Sequence, residues 1–323
     1  MDKKDLRIVF LGTPEFAVSS LKGILDEGYN IVGVITAPDK PSGRGKKMTI
    51  SAVKQFAIEH GLNLLQPEKL KDELFIRELS KLEANLQVVV AFRMLPEIVW
   101  AMPSLGTFNL HASLLPQYRG AAPINHAIIN GEKATGLTTF FLDALVDTGE
   151  IIKQNTIEIG EEEDFGSLHD RMMIAGADLV VETIKLICKG KVKKVPQLTM
   201  LAPNEVMYFA PKIFKVNCRI NWENSIGSIY NFIRGLSPYP AAFTYFISPL
   251  GEELFVKIYK TSMEDAVHNM KCGQLITDGK HQIKVTVSDG YIHILELQMA
   301  GKKRMKAADF LRGTPIIADS KVL

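Results

Sequence analysis

The chain is poor in cysteine. It has three in 323 residues, Cys188, Cys218 and Cys272, isolated from one another and in no CxxC spacing. An odd, scattered set of thiols excludes a disulfide framework and a structural zinc site, and it points to a reducing, cytoplasmic setting. Long apolar runs are missing too, since none approaches the roughly 18 residues needed to span a bilayer. The opening stretch "MDKKDLRIVFLGTPEF" passes from charged residues straight into a strand-like run. It lacks the long apolar region and the small-residue cleavage site of a signal peptide. Glycine is scarce where a dinucleotide would need it: "GTPEF" supplies one glycine, whereas the pyrophosphate-cradling fingerprint uses three. No P-loop occurs either. A nicotinamide-dependent oxidoreductase is countered by that absence. A large excess of either charge is likewise lacking, with a formal net charge of +2.

What is present is a soluble-type composition, 46% hydrophobic and 23% charged, long enough for two domains. The first half alternates strand and helix signals. "RIVFLG" (7–12), "IVGVITA" (31–37), "LQVVVAFRM" (86–94), "GTFNLHA" (106–112) and "GLTTFFLD" (136–143) read as buried strands. "TPEFAVSSLKGILDEG" reads as a helix with Thr13 as N-cap, Pro14 at the first helical position and Gly28 as its stop. "SAVKQFAIEHG" (51–61) starts at a Ser cap, and helices are also predicted over 122–132 and 163–190. Such alternation predicts an α/β fold, a Rossmann-like doubly wound sheet with its site at the carboxyl ends of the strands. Past an irregular stretch at 189–207, one helix and then many short alternating runs with Gly and Asp-Gly turns predict a small barrel or sandwich.

Within this frame "FNLHASLLPQYRGAAP" (108–123) stands out. Asn109 and His111 lie at i and i+2 on a strand and so share a face, near its carboxyl edge. An Asn-x-His pair alone reads more readily as two satisfied polar residues at a strand end. Asp147, in the Gly-closed turn of "LDALVDTGE", adds a carboxylate at the same edge. An amide, an imidazole and a carboxylate together suit acyl transfer to an amine. The first two donate hydrogen bonds to a developing oxyanion, and the third orients the imidazole and helps take the amine proton.

The run Asn-x-His-x-Ser-Leu-Leu-Pro, with a Gly four residues beyond the Pro and the downstream "DTG", resembles the signature of the folate-dependent formyltransferases. The likeness extends through "RIVFLGTPEFAV", "PDKPSGRGKKM", "APKI", "RINWENS", "LSPYPAAFT" and "QMAGKKRM", across the whole chain. It implies transfer of the formyl group of 10-formyltetrahydrofolate to the α-amine of methionyl initiator tRNA, with no metal. By carry-over, Asn109, His111 and Asp147 are the catalytic trio. Ser113, Leu114, Leu115 and Pro116 contact the folate, and Phe92 and Met94 wall the pterin pocket. The resemblance also implies a catalytic domain over 1–189, a linker over 190–207 and a smaller OB-like β-barrel that binds tRNA over 208–323. This chain departs from the family at Phe92-Arg93-Met94, where Tyr-Gly-Leu is common, at Leu145, where Gly is common, and at His126, where Trp is common.

Two basic surfaces fit an RNA partner. Arg44, Lys46 and Lys47 beside Gly43 and Gly45 suit phosphates, although a basic hexamer alone also fits a solvated loop. Lys212, Lys302, Lys303 and Arg304 would add a second surface on the barrel. Residues 208–323 carry 15 Lys and Arg against 10 Asp and Glu, while the preceding residues carry 23 against 26. Rival readings are a glycinamide ribonucleotide formyltransferase, an amino-sugar formyltransferase and a non-catalytic RNA-binding protein. The first leaves the residues after 207 without a task, the second the "GRGKK" loop, and the third the Asn109, His111, Asp147 set. Nothing in the sequence demands an oligomer, and a monomer is expected.

Overall fold

A computed structural model describes residues 2–42, 47–316 and 319–323. In chain order the strands of the first half are β1 (Arg7–Gly12), β2 (Asn30–Ile35), β3 (Lys40–Ser42), β4 (Lys47–Thr49), β5 (Leu64–Leu65), β6 (Leu86–Val90), β7 (Thr107–His111), β8 (Arg119–Gly120), β9 (Ala134–Phe141) and β10 (Ile151–Glu158). The helices are α1 (Glu15–Asp26), α2 (Ala52–Glu59), α3 (Glu73–Lys81), α4 (Glu97–Trp100), α5 (Pro123–Ile129) and α6 (Phe165–Cys188). Seven strands form one sheet in the order β10-β9-β7-β6-β1-β2-β5. The stretch from β5 to β7 is parallel, and β9 then runs antiparallel to β7.

Burial on both faces explains the unbroken apolar runs. Val9 and Leu11 of β1 cluster with Val89 of β6, Phe75 and Leu79 of α3 and Val99 of α4. The alternate residues Ile8 and Phe10, equally inaccessible, turn to the opposite face. There α6 approaches so closely that a Cβ on Gly176 would stand 2.9 Å from Leu110 Cδ2. The sheet is thus doubly wound, as the alternation predicts.

Local signals fare unevenly. Ser51 caps α2 by accepting from Lys54 N at 3.0 Å. At α1 the cap is Pro14, held extended, and Glu15 is the first helical residue, so Thr13 is not the cap. The strand predicted over 86–94 ends at Val90 because Ala91 has a φ of +47°, which turns the chain out of the sheet. β3 and β4 pair as a small hairpin within the stretch read as a loop.

The second half supplies β11 (Phe209–Ala210), α7 (Ile226–Leu236), β12 (Ala242–Ile247), β13 (Glu253–Asp265), β14 (Leu275–Thr277), β15 (Ile283–Val287), β16 (Gly290–Met299), β17 (Met305–Lys306), α8 (Ala307–Gly313) and β18 (Lys321–Val322). Its sheet runs β14-β15-β16-β13-β12-β18, with β17 on β16. The two ends of that order meet: Leu275 N donates to Ser320 O at 2.9 Å and Val322 N to Gly273 O at 2.7 Å. Closure removes the open edges and makes the sheet an OB-like barrel. Its core takes Val256, Ile258, Val285, Ile292, Ile294 and Leu297, lidded by Ile229 and Ile233 of α7 and Phe310 of α8.

By compactness the chain forms two units, Met1–Gly120 with Gly136–Ile157 and Asp170–Phe209, and Ala121–Thr135 with Glu158–His169 and Ala210–Leu323. This division differs from the sequence division at 189 and 207, and side-chain chemistry explains why. Buried Asn125 of α5 donates to Gly235 O at 2.8 Å. Arg234 Nη1 donates to Gly160 O at 3.2 Å and to Glu163 O at 2.8 Å, and burial pushes its guanidinium below the ordinary range. The whole of 190–207 belongs to the first unit, where Val195 pairs with Ile151.

Candidate functional site

The site is built at the carboxyl end of β7. Register places Asn109 opposite Val89, on the face where Val89, Leu95 and half-buried Phe92 pack. Asn109 is half-buried, and among the described residues its side-chain amide makes no hydrogen bond. His111 is 6% exposed, and its Nε2 donates to Tyr118 O at 2.9 Å. A carbonyl can only accept, so Nε2 is the donor in that contact. Nδ1 then faces Asp147, with Oδ2 3.9 Å away. That gap exceeds a direct hydrogen bond.

Asp147 reaches this position through a constrained loop. Its φ is +55°, a left-handed conformation that Asp tolerates better than most residues. Its Oδ2 accepts from Gly120 N at 3.1 Å. Ahead of it, Asp143 Oδ1 accepts from Leu145 N at 3.0 Å and from Thr148 Oγ1 at 2.7 Å, so the loop closes without a glycine at 145. Behind it, a Cβ on Gly149 would fall 1.7 Å from Phe141 O, which no larger residue can satisfy. The "DTG" spelling thus has a local steric cause.

The expected folate residues divide sharply. Ser113 is fully buried and donates to Gln117 O at 2.6 Å. Leu115 packs with Phe140 and Ile151, and Pro116 is buried. Leu114, half-buried, lies against Gly136, whose added Cβ would meet Leu114 Cδ2 at 2.5 Å. The side chains of Ser113, Leu115 and Pro116 therefore serve the turn and the core. Phe92 is half-buried and Met94 is 76% exposed, so these two remain available at the rim. Arg93 turns away: Nη1 donates to Glu68 O at 2.8 Å and Nη2 donates to Pro67 O.

Sequence reasoning gave no role to Tyr118, Arg119 or Gln197, although the first two lie inside the signature. Gln197 had no local signal, being one polar residue in an irregular stretch. Of the basic residues, Arg44 and Lys46 lie outside the described residues, as does the side chain of Lys47. Lys302 and Lys303 are exposed in the turn between β16 and β17. Arg304 lies over the Tyr259 ring, 4.7 Å from its centroid, and pairs with Glu296. Lys212 lies over Phe214 at 5.4 Å. No group of three or more His, Cys, Asp or Glu among the described residues could hold a metal ion. No described helix is long and apolar enough to cross a membrane.

Comparison with known proteins places the chain. The family described as "Formyl transferase" matches residues 6–184, and "Formyl transferase, C-terminal domain" matches residues 212–315. The methionyl-tRNA formyltransferase of Bacteroides fragilis is 55% identical over 313 residues, 97% of this chain and 96% of that one. The protein of that name from Parabacteroides distasonis is 55% identical over 323 residues and the full length of both. Among solved structures, the sugar 3N-formyl transferase WlaRD has a TM-score of 0.63 at 21% identity, covering 92% of this chain and 99% of its own. HypX from Aquifex aeolicus, solved in complex with tetrahydrofolic acid, has a TM-score of 0.61 at 17% identity, covering 97% of this chain and 49% of its own. These two likenesses are likenesses of fold.

Proposed function

This chain belongs to the formyl transferase family, and from that premise we propose that it transfers the formyl group of 10-formyltetrahydrofolate to the α-amine of methionyl initiator tRNA, for translation initiation. The observation that carries the reading is the end-to-end match to relatives named for that reaction. Sugar-acting relatives share the fold at far lower identity and do not account for a match of that kind.

The residues at the strand edge suit the co-substrate. Half-buried Phe92 offers an aromatic face to a planar pterin, Met94 a pliant thioether at the rim, and Asn109 a donor not already spent. When bound, 10-formyltetrahydrofolate supplies an activated formyl carbon. Asn109 donates to the formyl oxygen as negative charge grows there, an interaction worth roughly 3–4 kcal/mol per well-placed donor. His111 works through Nδ1, since Nε2 is committed to the Tyr118 carbonyl. Asp147 faces that nitrogen and helps move the proton that the amine loses as its bond to carbon forms; the bond from that carbon to the folate nitrogen breaks, and tetrahydrofolate leaves with a proton on that nitrogen, as a neutral amine. A free α-amine titrates at about 7.7–8.0, so a useful fraction attacks as the neutral base near neutrality. Ser113 to Pro116 shape the turn that follows β7, with only backbone and Leu114 left to face a ligand.

RNA contact falls to the basic residues: Arg44, Lys46 and Lys47 in the first half, and Lys212, Lys302, Lys303 and Arg304 in the second. Lys302 and Lys303 are the freest of the described set, because Arg304 is already paired with Glu296. Replacing both lysines by alanine should weaken tRNA binding and flatten the slope of log Kd against log salt by about one per lost phosphate contact. An unchanged slope removes them from the interface.

The deciding experiment offers 10-formyltetrahydrofolate with charged methionyl initiator tRNA, glycinamide ribonucleotide and an amino-sugar nucleotide in competition. Formyl transfer to the tRNA alone is expected. Transfer to a small acceptor keeps the chemistry and overturns the substrate, and no transfer to any overturns the function.

A further inference from the structure

We infer that Gln197, from the segment between the two family regions, is a positioning residue of the catalytic centre that sets the Asp147 loop. The inference rests on the formyl-transfer reading, in which Asp147 faces the reacting amine.

Gln197 is 2% exposed, although it lies in an irregular, polar stretch. Its side chain spends every hydrogen-bonding capacity it has. Nε2 donates to Asp147 O and to Gly149 O, both at 2.9 Å. Oε1 accepts from Arg119 Nε at 3.0 Å and from Arg119 Nη2 at 2.6 Å. Arg119 is partly desolvated, and burial lowers its guanidinium pKa against the opposing pull of Asp147 and Asp143.

The arrangement closes a ring. Three consecutive residues each hold one member of the site: Tyr118 O takes His111 Nε2, Arg119 takes Gln197, and Gly120 N takes the Asp147 carboxylate. Asp147 is therefore gripped at its side chain by Gly120 and at its backbone by Gln197, and the two grips meet at adjacent residues. Asp147 also sits at a φ of +55°, so its conformation depends on what surrounds it. Removing the Gln197 amide frees the backbone of Asp147 while leaving the imidazole's own bond to Tyr118 intact. Nothing in this places Gln197 in contact with substrate; it acts through Asp147.

The test compares the full-length wild type with Gln197→Ala and Gln197→Glu. The second keeps shape and an acceptor for Arg119, loses both donors, and sets a carboxylate against two carbonyls. In both variants kcat should fall about tenfold to a hundredfold, the cost of misplacing a reacting group by a fraction of an ångström or more. KM for each substrate should stay within about twofold, and the kcat–pH profile should shift because the groups facing His111 Nδ1 have moved. An unchanged kcat in either variant overturns the assignment. So does a loss of kcat that only follows the folded fraction on thermal melting, which would make Gln197 a stability residue. A wild type that formylates no acceptor overturns the underlying function instead, and that control is read before any variant.

Discussion

Asn109→Ala is expected to lower kcat roughly 100- to 1,000-fold, the usual cost of deleting one well-placed donor to a developing oxyanion. The structure makes this a clean experiment. The Asn109 amide is half-buried and, among the described residues, makes no side-chain hydrogen bond. Its removal therefore breaks no hydrogen bond of the folded protein, and the thermal midpoint should hardly move. Both KM values should change little, because the interaction strengthens only as charge grows on the formyl oxygen. The comparison is a steady-state assay of both proteins with a melting curve for each. A kcat that survives within a factor of about three would remove the amide from the mechanism. A fall in kcat matched by a fall in stability would mean that it serves the fold.

The second large effect belongs to Gly149→Ala. An added Cβ would stand 1.7 Å from Phe141 O. That oxygen cannot retreat easily, since Phe141 is in β9 and pairs with Phe108 of β7, and its own N–H donates to Glu150 O at 3.0 Å. The loop must yield instead, carrying with it the Gly149 carbonyl that Gln197 holds and Asp147 two residues before. We expect a stability loss of about 1–3 kcal/mol, typical of overpacking. A kcat loss of about 100-fold should accompany it, beyond what unfolded protein explains, through displacement of Asp147. Gly28→Ala is the control. It has a positive φ of 73° but no atom within 4 Å of the added Cβ, so it should cost stability and leave kcat of the folded fraction intact. If Gly149→Ala retains wild-type kcat once correctly folded, the link between this close approach and the site fails.

These effects divide between what was legible in the sequence and what was not. Strand and helix alternation was legible because it rests on local apolar periodicity and on caps such as Ser51. β5, two residues long, and the hairpin of β3 and β4 had too little pattern to register. β10 carries mixed polarity at the end of the sheet and read as no element at all. The pairing of Asn109 with His111 could be read from spacing, since a strand puts i and i+2 on one face. Phe92 and Met94 read as equals, yet one packs against the Val89 cluster and the other stands in solvent. The place of Ser113 in the signature says nothing of its burial or of its bond to Gln117 O, which only the folded chain shows.

By itself the sequence determined the class of fold, the strand bearing the amide and imidazole, and the family. Each of these follows from residues close along the chain or from short motifs. Tertiary structure alone decided how the site is assembled. It set His111 Nε2 on Tyr118 and Nδ1 toward Asp147, closed the barrel by joining Gly273 and Leu275 to the last strand, and carried Gln197 to a loop 50 residues earlier. The physical reason is that a hydrogen bond between residues so far apart leaves no trace in local periodicity. It exists only once the packed core has fixed where both backbones run.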